Sequence, residues 1–316
     1  MPILPELAPM VARINAARAH LPDASTPVAE RRAVIHRGMD QRAGSVALPA
    51  PPTTTTDHRV AVDAEHITVR SYRPHRHGRL AAHVYVHGGG WWLGELQHRD
   101  AVCATLAADA GCVVFSVAHR LAPEHRFPIP VCDCYAALRW VVDNADALGV
   151  DAARLSIGGD SSGANLAAAT AMLTRDSGRP HLLAQVLEIP VLDLTMSQPS
   201  VHEAAGAVVL TGAELAANIE QYCDAGDRRH PYASPLLADD LAGLPPALIM
   251  TAEYDILRDE GAAYGRRLSE SGGAAEVVEW AGHVHGSHEM TAVLESARAW
   301  QARVAGFLRD RYAASR

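Results

Sequence analysis

The stretch RLSIGGDSSGANLAAATAML, residues 154–173, decides the fold. Its first four residues have the extended pattern of a buried strand, and the run that starts at residue 164 has a helical pattern. Between them lies G-x-S-x-G, Gly159 to Gly163, whose small residues permit a tight turn that exposes a serine at the end of a strand. The stretch therefore predicts a strand, a sharp turn and a helix, with Ser161 as a candidate nucleophile. The alternative is that Ser161 only caps the helix.

Three consecutive glycines stand in a second segment, AHVYVHGGGWWLGE, residues 82–95. Glycine lets the main chain approach a ligand and turn its N–H groups towards it. Acyl transfer needs such donors for the negative oxygen of its tetrahedral intermediate. HGGG at residues 87–90 therefore predicts an oxyanion hole, and the backbone N–H of Ser162 is expected to be a further donor. Trp91 and Trp92 are candidates either for the substrate pocket or for the scaffold.

Strand and helix patterns alternate along most of the chain. Apolar, β-branched runs predict strands at His66–Tyr72, Ala81–Val86, Cys112–Val117, Arg154–Ile157, Leu182–Ile189, Ala247–Thr251 and Ala275–Trp280. Helical patterns lie at Asp100–Ala110, Val131–Leu148, Ser162–Arg175, Leu257–Ser271 and Glu289–Arg311. This alternation predicts an α/β fold in which helices flank a mostly parallel central sheet on both faces.

Two segments interrupt the alternation. Residues 1–50 combine helical patterns with the beginning of a linker, PAPPTTTT at 49–56, so a catalytic domain is expected to span residues 51–316. The mixed segment near 195–229, which contains AAGAVVLTGAELAANIEQY, lies between predicted strands. Because ligands bind at the carboxyl ends of strands in such sheets, both segments are predicted to form a helical cap over that edge.

Composition and charge exclude several classes of function. The 316 residues carry a formal net charge of −8 without long runs of like charge, so nucleic acid is not an expected partner. The first residues lack the pattern of a signal peptide and no run of eighteen apolar residues occurs, so a cytoplasmic protein without membrane insertion is expected. The five cysteines contain no C-x-x-C, and Cys132 and Cys134 point to different faces of a predicted helix. Packed thiols are expected there, without a metal ion.

A serine nucleophile requires a base, and the base requires an acid that orients it. Asp255 follows the apolar strand ALIMT and is the first candidate for the acid, with Glu253 and Asp259 as rivals. The segment AGHVHGSH after the last strand offers the base. The glycine next to His285 suits a loop that presents an imidazole, but the spacing leaves His283 open.

Five segments together resemble the hormone-sensitive lipase-like family of α/β-hydrolases, the bacterial family IV esterases. They are HGGGW from residue 87, HRLAPEHRFP at 119–128, GDSSGANLA at 159–167, SPLLADDLAGLPPALIMTAEYDILRDEG at 234–261 and AGHVHG at 281–286. The resemblance covers the chain from about residue 60 onwards, with the motifs in the family's order.

The resemblance implies a set of roles for residues of this chain. Ser161 takes the place of the family's nucleophile, Asp255 that of its acid and His285 that of its histidine base. The backbone N–H groups of Gly89, Gly90 and Ser162 are expected to form the oxyanion hole. No cofactor or metal is implied, and residues 1–50 and the insertion match the family's cap in placement.

These features predict a carboxylic-ester hydrolase that acts on short to medium acyl esters through a serine acyl-enzyme. A small-molecule ester is the expected partner, and the protein is expected to be a monomer or a homodimer. An amidase with the same triad is the first alternative. A binding protein without catalysis is the second, although members of that kind typically lose the histidine, and His285 is present. The glycine-rich segments contain no G-x-G-x-x-G, and the sequence has no P-loop, so nucleotide binding is poorly supported.

Overall fold

The computed structural model describes residues 2–18, 25–203 and 208–315. Strands in this part of the chain are β1 Thr53–Val62, β2 Glu65–Pro74, β3 Leu80–Val86, β4 Cys112–Ala118, β5 Val150–Asp160, β6 Ala184–Glu188, β7 Ala247–Tyr254 and β8 Ala275–Val284. Its α-helices are α1 Ala8–Arg18, α2 Val28–Val46, α3 Asp100–Ala110, α4 Ile129–Asp143, α5 Ala145–Leu148, α6 Ser162–Asp176, α7 Gly212–Tyr222, α8 Arg258–Glu270 and α9 Glu295–Ala314.

The strands form one sheet in the order β1-β2-β4-β3-β5-β6-β7-β8. β1 pairs antiparallel with β2, and β2 pairs antiparallel with β4, whereas all other neighbours are parallel. The predicted α/β fold with a mostly parallel sheet is therefore confirmed. Because the parallel strands share one direction, the loops after β3, β5, β7 and β8 meet at the same edge of the sheet.

Helices cover both faces of the sheet, as strands that are apolar on both sides require. On one face, residues such as Val84 and Ile157 pack against α4, α6 and α8. On the other face, Tyr85 and Val114 pack against α3 and α9, where Trp300 is fully buried. These two layers hold β3 and β5 at the centre of the core, so the turns at the ends of these strands have a rigid base.

The first strand was not predicted. The four threonines at 53–56, interpreted as linker, begin β1, and Thr53 pairs with Pro74 of β2. β-branched side chains favour an extended backbone, which explains the strand. Only Val60 and Val62 of β1 are buried, so the strand lacks the apolar alternation that would have revealed it.

Two helices differ from their predicted bounds. The helix expected at Val131–Leu148 is broken at Asn144, whose side-chain amide donates a hydrogen bond to the carbonyl of Trp140. The last helix begins at Glu295 and not at Glu289, because a 3₁₀ turn and an irregular segment come first. That segment buries Met290 and Leu294 in one cluster with Leu7 and Val11.

Parts of the two segments predicted as a cap are described. Helices α2 and α7 pack in one apolar cluster with Trp91 of the glycine-rich loop, through Ile35 and Leu215 among others. Residues 1 and 19–24 of the N-terminal segment, and residues 204–207 of the insertion, lie outside the described residues. The cysteines are free thiols, four buried and Cys132 exposed, so the expectation of packed thiols is wrong for Cys132. None of the helices described is both long and apolar enough to cross a bilayer.

Candidate active site

The turn after β5 places Ser161 in a strained conformation. Ser161 has φ +52° and ψ −120°, and its N–H donates to the carbonyl of Glu188 at 2.8 Å. A Cβ on Gly159 would lie 2.2 Å from the carbonyl oxygen of Val86, and one on Gly163 would lie 2.1 Å from the same oxygen. Larger residues would therefore push the turn away from β3. The glycines let the chain turn sharply enough to present the serine at the sheet edge.

Three side chains predicted from the sequence lie in one hydrogen-bonded row. Nε2 of His285 lies 3.1 Å from Oγ of Ser161, and Nδ1 of His285 lies 2.7 Å from Oδ2 of Asp255. With neutral histidine, Nδ1–H donates to the carboxylate and the serine hydroxyl donates to Nε2. The other carboxylate oxygen of Asp255 accepts from the N–H of Leu257 at 3.0 Å, which fixes its orientation.

The rival residues are held elsewhere. Glu253 accepts a hydrogen bond from the N–H of Gly282 at 2.7 Å, and Asp259 accepts one from the N–H of Ser200 at 3.0 Å. The ring of His283 lies between two serine hydroxyls, each at 2.8 Å. None of these three side chains has a hydrogen bond to Ser161 within the described part of the chain.

The charge around His285 favours proton uptake by its ring. Burial lowers the pKa of His285, but Asp255, with smaller contributions from Asp160 and Glu289, outweighs burial and holds the pKa above its ordinary value. A base with a raised pKa accepts the proton of a serine hydroxyl more readily. The buried carboxylate of Asp255, which is 1% exposed, would stabilise an imidazolium formed on His285.

The glycine-rich loop has the geometry of an anion site. Gly89 has φ +131° and Gly90 has φ +59°, and residues other than glycine rarely adopt these backbone conformations. Main-chain hydrogen bonds from Trp92 and Leu93 to the carbonyl of Gly89 close a turn, at 3.3 and 2.9 Å. The N–H groups of Gly89 and Gly90 have no hydrogen-bond partner among the residues described. Ser162 is the first residue of α6, where the N–H has no acceptor within the helix.

Neighbouring side chains hold this loop against the nucleophile turn. The N–H of Gly88 donates to Asp160 at 3.0 Å, and the N–H of Trp91 donates to Oγ of Ser162 at 3.2 Å. His87 stacks on His119 with ring centroids 4.6 Å apart. Burial lowers the pKa of His87 to about 3, which favours the neutral ring beside the loop.

The two tryptophans after the glycines belong mainly to the scaffold. Trp91 is fully buried, stacks on Tyr222 at 4.4 Å and donates to the side chain of Asn165 at 3.2 Å. Trp92 donates to the side chain of Asn218 in α7 at 2.8 Å, and the guanidinium of Arg31 in α2 lies 5.0 Å from its ring. Trp92 thus joins the glycine-rich loop to α2 and α7.

Three further residues contact the loop and were not predicted. Arg32 of α2 donates to the carbonyl of Trp92 at 2.8 Å, and the N–H of Gly94 donates to His36 at 3.1 Å. Asn218 lies so close to Gly90 that a Cβ there would be 2.6 Å from its amide nitrogen. No local pattern marks these residues, because each reaches the loop only through the tertiary fold.

A buried ionic cluster lies behind the nucleophile. Among the described residues, Asp160, His288 and Glu289 are the one group whose ligand atoms lie close enough together for a metal ion. The guanidinium of Arg99 contacts both carboxylates at 2.9 Å. Because Arg99 already supplies positive charge at this place, the cluster is an ion-pair network and a poor cation site. Of its members, the sequence had drawn attention to Asp160 of the serine motif and to His288 of the segment AGHVHGSH, but not to Arg99 or to an ionic cluster.

A serine, a histidine and an acid at the carboxyl edge of a parallel sheet, beside a glycine-rich loop, define the class of α/β-hydrolases that use a serine nucleophile. Comparison with known proteins agrees with this class. A family model described as the α/β hydrolase fold matches residues 83–289. The chain belongs to this family, and the resemblance to hormone-sensitive lipase-like esterases is confirmed.

Relatives and solved structures cover most of the chain. The carboxylesterase NlhH of Mycobacterium tuberculosis is 42% identical over 236 residues, which are 73% of this chain and 74% of that protein. An arylesterase of Saccharolobus solfataricus is 37% identical over 242 residues, 76% of this chain and 79% of that protein. The structure of a hyperthermophilic esterase from Pyrobaculum calidifontis has a TM-score of 0.90 and 38% identity, with 98% of this chain and 99% of that chain covered.

Proposed function

We propose that the protein is a carboxylesterase that hydrolyses short to medium acyl esters of small molecules through a serine acyl-enzyme. The observation that carries this proposal is the unbroken row from Asp255 through His285 to Ser161, with distances of 2.7 and 3.1 Å. Similar proteins are named carboxylesterase, arylesterase and, for one from Pseudomonas putida, ethyl acetate hydrolase. Their names support an ester as the substrate.

In the first half-reaction, Oγ of Ser161 attacks the ester carbonyl while Nε2 of His285 takes the hydroxyl proton. Asp255 holds Nδ1–H, so that Nε2 is the free nitrogen that faces the serine. The C–O bond to the alcohol then breaks, and the proton on His285 passes to the leaving oxygen. The products are an acyl group on Ser161 and a free alcohol.

In the second half-reaction, water repeats these steps on the acyl-enzyme. His285 takes a proton from the water, the hydroxide attacks the acyl carbonyl, and the proton returns to Oγ of Ser161 as the carboxylic acid leaves. Both tetrahedral intermediates place negative charge on the former carbonyl oxygen. The N–H groups of Gly89, Gly90 and Ser162 are the proposed donors, and one such donor is typically worth about 3 kcal/mol of transition-state stabilisation.

The surroundings of the nucleophile support a preference for small substrates. Ser161 is only 8% exposed, and α2 and α7 pack against the glycine-rich loop beside it. We propose that residues 1–50 and the insertion near 195–229 cap a catalytic domain of residues 51–316. The cap leaves less room for long chains than an open edge would. A cytoplasmic location and a monomeric or homodimeric state remain predictions.

The test is hydrolysis of p-nitrophenyl esters from acetate to palmitate by the wild type and by Ser161→Ala. Activity should be highest on the short chains and should vanish in the variant, because the nucleophile is gone. Ser269→Ala, which removes an exposed hydroxyl from α8, is the matched control and should keep full activity. Matched p-nitroanilides measure amide turnover. Faster turnover of anilides than of esters would favour an amidase, and highest activity on palmitate would contradict the preference for short chains.

A further inference from the structure

A buried arginine joins two carboxylates behind the nucleophile. Nη2 of Arg99 lies 2.9 Å from Oδ2 of Asp160 and 2.9 Å from Oε1 of Glu289, and Nε lies 3.2 Å from Oδ1 of Asp160. The side chains of Arg99 and Asp160 are 7% and 3% exposed, and that of Glu289 is 26% exposed. Buried ion pairs in such a geometry hold their partners firmly, because breaking one leaves a charge without water or a counter-ion.

The two carboxylates belong to different parts of the active site. Asp160 directly precedes Ser161, and its Oδ1 also accepts hydrogen bonds from the N–H of Gly88 at 3.0 Å and the hydroxyl of Tyr85 at 2.7 Å. Glu289 ends the 3₁₀ turn that follows His285. A single guanidinium therefore connects the nucleophile turn, the glycine-rich loop and the loop of the base.

Asp160 depends on Arg99 for its charge. Burial would raise the pKa of Asp160, but the charge and hydrogen bonds of Arg99 outweigh burial and hold the pKa below its usual range. Without Arg99, the buried carboxylate would face a strong cost of ionisation and would take up a proton. A protonated carboxyl is a weaker acceptor for the N–H of Gly88 than a carboxylate. The glycine-rich loop would then lose one of the bonds that fix it beside Ser161.

We propose that Arg99 is a positioning residue for the reaction: it sets the oxyanion loop and the base loop relative to Ser161 by bonding Asp160 and Glu289 together. This inference rests on the proposed function. Arg99 lies behind the turn and does not touch the reacting atoms. Its loss should therefore lower kcat, which depends on the alignment of donors and base, more than it changes KM.

The first experiment measures kcat and KM of Arg99→Met on p-nitrophenyl butyrate, per active site titrated with a p-nitrophenyl phosphonate that reacts with the serine. Methionine keeps much of the length of the side chain and removes the charge. We expect kcat to fall at least about 30-fold while KM changes less than about threefold, because misplacement of an oxyanion donor costs roughly 100- to 1,000-fold when complete. Titration restricts the rate to correctly folded sites.

The second experiment adds Asp160→Asn to Arg99→Met. The asparagine carries no charge, and its oxygen can still accept the N–H of Gly88. If Arg99 acts by holding the charge of Asp160, the double variant should recover at least about tenfold in kcat over Arg99→Met. Equal rates of the two variants would overturn the proposed route through Asp160. If Arg99→Met does not fold, Arg99→Lys replaces it, since lysine keeps the charge but cannot bond both carboxylates in the same way.

A matched control separates positioning from stability. Arg70 of β2 also joins two carboxylates, with contacts of 2.6 Å to Asp57 and 3.0 Å to Asp100, and among the described residues it has no ion pair with Asp160 or Glu289. Arg70→Met should lower the melting temperature and keep kcat per titrated site. A kcat of Arg99→Met or Arg99→Lys within threefold of the wild type would overturn the inference. A wild type that hydrolyses no ester would instead overturn the proposed function.

Discussion

The conformation of Gly89 makes it the most informative position to change. Its φ of +131° lies outside the regions that residues with a Cβ occupy, and a Cβ there would lie 2.3 Å from the carbonyl oxygen of Leu93. This oxygen belongs to the main chain, so it cannot move aside as a flexible side chain could. Gly89→Ala must therefore change the backbone of the loop. The change is expected to rotate both peptide groups that flank residue 89, one of which carries the N–H of residue 89 and the other the N–H of Gly90.

The expected loss follows from the number of donors that move. One oxyanion donor is worth about 3 kcal/mol, and each 1.36 kcal/mol corresponds to a tenfold change in rate. Loss of one donor therefore lowers kcat roughly 150-fold, and loss of both lowers it roughly 2 × 10⁴-fold if their contributions add. We expect Gly89→Ala to fall between these values on p-nitrophenyl butyrate. KM should change little, because the donors act on charge that develops in the transition state.

A second glycine provides the control. Gly78 has φ +83°, and no atom lies within 4 Å of the position that its Cβ would take. Gly78→Ala therefore introduces left-handed strain, about 1–2 kcal/mol of stability, without disturbing the site. Chemical denaturation should show this loss, and kcat should stay at the value of the wild type. If Gly89→Ala kept kcat within threefold of the wild type, the assignment of the loop as the oxyanion hole would be refuted.

Four further predictions concern the acid, the base and the loop. Asp255→Asn should lower kcat by roughly 10⁴-fold, because an amide can leave His285 in the wrong tautomer; a loss under tenfold would contradict the role of Asp255. In the wild type, kcat/KM should fall as the pH drops through a midpoint above 6.5, because protonated His285 cannot accept the proton of Ser161 and its pKa is raised. Glu289→Gln removes one of the carboxylates that raise the pKa of His285. The midpoint of this variant should therefore lie at lower pH than that of the wild type, and pH profiles of kcat/KM for both proteins measure the difference. Arg32→Met loses two bonds to main-chain carbonyls and should lower kcat about tenfold, with about 1–3 kcal/mol of stability lost in denaturation.

Local patterns were sufficient to predict the central part of the fold. The strands β3, β4 and β5 are apolar runs next to helical patterns. Small residues between a strand pattern and a helical pattern indicate the turn at Gly159 to Gly163. β1 escaped because most of its side chains are exposed, as the burial of only Val60 and Val62 shows. Its stability comes from pairing with β2 along ten residues. Such pairing between neighbouring segments leaves no apolar signature in the sequence.

The choice between the two histidines shows where spacing stops being sufficient. His283 and His285 both follow the same strand pattern, and the sequence alone does not show which of them reaches the serine. In the structure, the hydroxyls of Ser287 and Ser296 occupy both ring nitrogens of His283. The ring of His285 instead reaches Asp255 and Ser161. The difference depends on partners that come from other loops, and their positions follow from the whole fold.

The glycine-rich loop also explains why the helices proposed as a cap do more than cover the site. Glycines give the loop its unusual conformation, but they also leave it many alternatives when nothing holds it. Arg32, 60 residues before Trp92 in the chain, donates to the carbonyl of Trp92. Asn218, 126 residues after Trp92, accepts a hydrogen bond from its indole N–H. These contacts select one conformation in which the N–H groups of Gly89 and Gly90 have no partner among the described residues. The helices α2 and α7 therefore help to set the conformation of the glycine-rich loop beside the triad.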